Sequence, residues 1–97
     1  MEPKKLKIIF SPSAQKDIER LETRHALKLT RDIKSYLETF PLFIGKTRIK
    51  KLAGFDPPLF RLRSGDFRAY FRLLSTTVII LSIIHKKDSE KMLKKFR

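Results

Sequence analysis

The chain has 97 residues, no cysteine, and 23 lysines and arginines against 10 aspartates and glutamates, a net charge of +13. That length fits one domain, residues 1–97, with a core that needs no covalent staples, and the lack of thiols excludes a disulfide framework or a thiolate metal site. The charge says little about fold, but it calls for a polyanion or an acidic protein as partner.

The longest apolar run, residues 78–84 with one serine inside, is too short to span a bilayer. The N-terminus is basic but lacks the apolar stretch of a signal peptide. A soluble, cytoplasmic protein with no membrane partner is expected.

Residues 6–10 (LKIIF) are a β-rich run and the expected first strand. Ser11 then suits a helix N-cap and Pro12 the first helical position. Ala14, Ile18 and Leu21 follow at helical spacing, and a charged corner over 21–25 separates a second helix. Ala26, Leu29, Ile33, Tyr36, Leu37 and Phe40 mark its apolar face, Arg24, Lys28, Arg31 and Lys34 its other side, and Pro41 its end. His25, in the corner, reads as a surface residue.

A loop around Gly45 is expected over 43–47, and an edge strand over 48–52 (RIKKL). Residues 54–58 form a turn, because Pro57 and Pro58 forbid a helix. Three strands follow, over 59–63, 67–74 and 77–84. Gly65 and Asp66 supply the first hairpin turn, Ser75 and Thr76 the second. Residues 86–96 suit a short last helix, with Asp88 as its cap. The expected fold class is therefore α+β, in the order β-α-α-β-β-β with a final α. Two N-terminal helices pack on one face of a mostly antiparallel twisted sheet, leaving the other face free for function.

Strand side chains alternate between faces, and residues directly opposite one another share a face. A two-residue turn at Gly65 and Asp66 sets Arg63 opposite Arg68, Arg61 opposite Tyr70 and Leu59 opposite Arg72. Arg61, Arg63, Arg68, Tyr70 and Arg72 then line one side, and Phe60, Leu62, Phe67, Ala69 and Phe71 the other. Like charges opposite each other destabilise a sheet. A cluster of them makes sense where an anion visits it, although any single arginine can simply lay its stem along apolar surface.

The order of elements, the segment FRLRSGDFRAYF (60–71), the preceding KLAG (51–54), the apolar third strand and the following HKKD (85–88) resemble the RelE/ParE superfamily of type II toxin–antitoxin toxins. The resemblance covers nearly the whole chain. It implies a small toxin neutralised by a cognate antitoxin. RelE-like members are ribosome-dependent endoribonucleases that cut mRNA without a metal; ParE-like members share the fold and poison DNA gyrase. The family's basic positions fall on Arg61, Arg68 and Lys86, and its common histidine on His85. A tyrosine frequent in the C-terminal helix of active RelE members corresponds to Met92, and a further basic position to Leu59. These two departures keep a third alternative open, a non-catalytic basic module held by its antitoxin.

Metal-free RNA cleavage needs a 2′-hydroxyl aligned with the adjacent phosphate, stabilised negative charge, and proton transfer. Arginine suits the second task, because its planar fork grips phosphate and stays charged. Arg68 is the first candidate and Arg61 its helper. Lys86 is a second phosphate contact or a proton donor. His85 has the intrinsic pKa of a general acid–base, although a lone histidine at a strand end more often caps than catalyses. Arg63, Arg72, Lys51 and Lys87 complete the expected RNA-binding set with Tyr70, which either stacks on a base or covers the sheet. No cofactor or metal is expected, since Asp66 is the only carboxylate between residues 59 and 87. The expected partners are mRNA on the ribosome and an acidic antitoxin, whose amphipathic helix or strand covers the basic face or displaces the last helix.

Overall fold

The structure, a computed structural model, describes residues 5–39 and 48–94. In chain order they form β1 (Lys7–Phe10), α1 (Pro12–Glu19), α2 (Thr23–Leu37), β2 (Ile49–Leu52), β3 (Leu59–Ser64), β4 (Phe67–Leu74), β5 (Thr77–His85), a 3₁₀ turn (Lys86–Asp88) and α3 (Ser89–Leu93). The expected stop at Phe40 and Pro41, the loop over 43–47, the Met92 side chain and the end of the last helix lie outside the described residues. Among the described residues no helix is long and apolar enough to cross a membrane.

One five-stranded sheet runs in the order β1-β5-β4-β3-β2. β1 joins β5 in parallel, and the other three pairings are antiparallel. The α+β architecture anticipated from the sequence is thus present, with both N-terminal helices on one face. Ser11 caps α1: its hydroxyl accepts the Ala14 N–H at 3.1 Å, and Pro12 follows. The helices contribute Ala14, Leu29, Ile33 and Leu37 to a core shared with Ile49, Phe60, Leu62, Ala69, Phe71, Val78, Ile80 and Ile83. These strand residues are the ones that alternation assigns to the inner face.

β5 contains a bulge. Phe71 pairs with Ile80 and Tyr70 with Ser82, so Leu81 has no opposite residue. α1 holds this irregularity in place. The Asp17 carboxylate accepts the Ile83 N–H at 2.9 Å and the Ser82 hydroxyl at 3.4 Å, and the Ser11 hydroxyl donates to the Leu81 carbonyl at 3.0 Å. The extra residue lets Ile80 and Ile83 face the helices while Leu81 and Ile84 join the outer face.

That outer face is not entirely free, contrary to expectation. Leu52, Leu59 and Tyr70 form a second apolar cluster there, covered by Phe55, Leu81, Ile84 and, from α3, Leu93. The cap at the last turn also differs from the sequence expectation. His85, not Asp88, holds it: Nδ1 accepts the Lys87 N–H at 3.2 Å.

A candidate nucleic-acid interface on the sheet

The β3–β4 hairpin turns on Gly65 and Asp66, with Gly65 at φ +58, a left-handed conformation that favours glycine. Its register sets Arg63 opposite Arg68 and Arg61 opposite Tyr70. Because Ser64 and Phe67 close the turn, the two arginines form the next, more closely spaced kind of antiparallel pair. Arg61, Arg63, Arg68, Tyr70 and Arg72 all lie on the outer face.

Each arginine is held differently. Arg63 is exposed, while Arg61, Arg68 and Arg72 are half-buried. The Arg68 guanidinium turns back on the hairpin, where Nη1 donates to the carbonyls of Gly65 and Phe67, both at 3.0 Å. Its pKa is lowered from the ordinary arginine value, first by burial and then by the like charges of Arg61 and Arg63. The three cations therefore feel one another across two strands. The Nε atoms of Arg61 and Arg72 are out of water with no hydrogen-bond partner among the described residues, as stems laid along an apolar floor would be.

Lys86 reaches the same turn. Its backbone N–H donates to the Asp66 carbonyl at 2.7 Å, and its ammonium lies 3.3 Å from the Asp66 carboxylate. Both partners are more than half exposed, so the pair adds little stability. The turn thus links Arg68, through Gly65, to Lys86, through Asp66.

Three expected site residues are placed differently: two on the helix side and one beneath the outer face. Lys51 is opposite Phe60, on the helix side of β2, and Lys50 opposite Arg61 occupies the outer face instead. Lys50 is thus a basic residue of this face that the sequence reading missed. Pairing the edge strand with the hairpin is the signal that finds it. Tyr70 is fully buried at 0% exposure, so it belongs to the floor of the face and offers no open ring to a base. His85 is opposite Phe67, hence on the helix side. Its ring stands edge-on to Phe67 at 5.5 Å between centroids, and His25 packs on the same ring at 5.2 Å, so His25 is not a bare surface residue. With Nδ1 accepting the Lys87 N–H, a neutral His85 carries its proton on Nε2. Lys87 itself is exposed.

What the structure brings together is therefore Lys50, Arg61, Arg63, Arg68 and Arg72 above a small apolar floor, with Lys86 at the hairpin end. Fixed guanidinium groups with few carboxylates nearby suit a chain of phosphates better than a single small anion.

Comparison with known proteins agrees with this fold. The toxin–antitoxin complex RelBE2 from Mycobacterium tuberculosis matches with a TM-score of 0.70 and 25% identity, over 84% of this chain and 91% of that one. The archaeal RelE–RelB complex from Pyrococcus horikoshii gives 0.69 and 21%, over 84% and 96%. Escherichia coli RelE in the free state, as a double arginine-to-alanine mutant, gives 0.63 and 16%, over 95% and 94%. A comparison with curated protein sequences gave no match. The model of the ParE toxin of type II toxin–antitoxin systems matches residues 8–90. The chain accordingly belongs to this toxin family, within the RelE/ParE superfamily.

Proposed function

We propose that this toxin is a RelE-like endoribonuclease that cuts mRNA on the ribosome without a metal, and that the outer face of the hairpin is its active surface. The observation that carries this reading is the β3–β4 register, which gathers Arg61, Arg63 and Arg68 on one face, where burial and then the like charges of Arg61 and Arg63 lower the pKa of Arg68. In the proposed reaction the 2′-hydroxyl gives its proton to solvent water as its oxygen attacks the adjacent phosphorus, the bond to the 5′-oxygen breaks, and a 2′,3′-cyclic phosphate remains. Arg68 and Arg61 stabilise the charge that builds on the phosphoryl oxygens. Lys86 gives its proton to the departing 5′-oxygen, and Arg63, Arg72 and Lys50 hold the flanking phosphates. His85 can serve as a base only after its Nδ1 hydrogen bond is exchanged, so its part is to fix the strand end that carries Lys86.

A cognate antitoxin completes the proposal, since three of the similar structures are complexes with RelB proteins. Purified protein mixed with programmed ribosomes and EDTA should yield cyclic-phosphate ends, and Arg68→Ala should abolish them while remaining folded. Intact mRNA with the wild-type protein would reject the reading. The match to the ParE family favours a second reading, gyrase poisoning. It predicts DNA breaks with unchanged mRNA.

A further inference from the structure

We propose that the Asp66 carboxylate is a built-in counter-ion of Lys86, which holds that ammonium at the hairpin end until a phosphate of the RNA strand displaces it. The inference rests on the reading above for its ligand, a single RNA strand, and gives a role to a residue that reading leaves idle.

Negative charge is scarce on this side of the protein. Between residues 59 and 87 Asp66 is the only carboxylate. At Arg68, whose pKa burial and then the like charges of Arg61 and Arg63 lower, the charge of Asp66 acts in the opposite direction. The backbone brings Asp66 to Lys86. The Lys86 N–H donates to the Asp66 carbonyl at 2.7 Å, one step past the pair of Phe67 and His85, so the two residues stand side by side where β4 begins and β5 ends. Their charged groups are 3.3 Å apart.

A second lysine–aspartate pair in the protein shows what a structural one looks like. Lys28 lies 3.0 Å from Asp32, whose side chain is only 15% exposed and also accepts the Ser64 hydroxyl at 2.7 Å. That carboxylate is braced between α2 and β3. Asp66 is placed in the opposite way. Its contact with Lys86 is longer than the roughly 2.7–2.9 Å of a tight charge-assisted bond, and the two side chains are 61% and 56% exposed. Water reaches both groups, so exchanging the carboxylate for another anion sacrifices little.

A phosphodiester carries the same single negative charge and arrives already gripped by Arg61 and Arg68. The carboxylate therefore acts in two directions. Before RNA arrives it keeps the flexible Lys86 stem from swinging into solvent. Once RNA is bound it opposes the strand, because a carboxylate beside a phosphate is a like-charge contact. Removing its charge should strengthen binding and loosen the group that gives its proton to the 5′-oxygen.

The test uses the full chain and a fluorescein-labelled single strand of 2′-O-methyl RNA, which lacks the attacking hydroxyl and cannot be cut. Asp66→Asn should bind it about two- to fivefold more tightly at low salt, the worth of one exposed ion pair. A plot of log affinity against log salt should steepen by about 0.7, one phosphate on a single strand. Beside Lys86→Met the same change should lose about half or more of its effect. Glu19→Gln, exposed on α1, alters net charge equally and should leave affinity nearly unchanged. With mRNA on the ribosome, Asp66→Asn should lower KM and kcat together, and Asp66→Glu should restore kcat. The proposal is overturned if Asp66→Asn binds no more tightly than wild type, if Glu19→Gln matches it, if the gain is undiminished beside Lys86→Met, or if kcat is unchanged. Intact mRNA with the wild type would reject the endoribonuclease reading alone, since the affinity comparison is made on RNA that cannot react.

Discussion

Arg63 and Arg68 are directly opposite in a closely spaced pair, and the protein tolerates the repulsion. Replacing Arg63, which is exposed, by glutamine removes one of the two charges and leaves the backbone ladder intact. Like-charge pairs in this position cost about 0.2–1 kcal/mol. For a chain of this size that corresponds to a rise of about 1–8 °C in Tm. The gain is electrostatic, so it should be present at about 20 mM salt and nearly vanish at 1 M, where the screening length falls to about 3 Å. Thermal unfolding of wild type, Arg63→Gln and Arg63→Lys at both salts measures this directly. Arg63→Lys keeps the charge and should gain nothing. The same Arg63→Gln protein should bind single-stranded RNA more weakly, with a shallower salt dependence. A stability gain equal at both salts, or shared by the lysine variant, would refute the account of a face held in repulsion for an anion.

Other sites give sharper structural tests. Asp17→Ala orphans the Ile83 N–H at the bulge and should cost about 1–3 kcal/mol, read as a lower urea midpoint. Tyr70→Ala should cost about 3 kcal/mol or more, because the ring is fully buried; a well-folded variant deficient only in RNA binding would contradict its place in the floor. Burial pushes the Asp32 pKa up, but the hydrogen bond from the Ser64 hydroxyl at 2.7 Å and the Lys28 ammonium at 3.0 Å prevail, and the net direction is down. A depressed carboxyl stabilises above its unfolded pKa, about 3.9, and that stability is lost as pH falls through the lower folded value. The stability gap between wild type and Asp32→Asn should therefore be full at pH 7 and close below about pH 4.

The hairpin was legible in the sequence because two signals agreed. Gly65 and Asp66 fix a two-residue turn, and arginine alternates with apolar residues on both flanking strands. The run 78–84 carries no such alternation, since nearly every position is apolar, so the bulge at Leu81, held by Asp17 and Ser11 from far away in the chain, leaves no local mark in the sequence. Lys50 and Lys51 are adjacent and alike. Only the pairing of β2 with β3 tells which one shares a face with Arg61. His85 and Lys86 are likewise neighbours in sequence, and the pairing with Phe67 carries His85 to the helix side. The burial of Tyr70 depends on Phe55 and Leu93 arriving from distant segments. Leu52 and Leu59, apolar at outer-face positions, were the one local hint that something would cover it.

The most direct test of the central claim is induced expression of wild type and Arg68→Ala, with mRNA ends mapped and a DNA-damage reporter read in the same cells. The account predicts cuts within translated mRNA bearing cyclic-phosphate ends for the wild type, none for Arg68→Ala, and a silent reporter. Intact transcripts with an active damage reporter would contradict it.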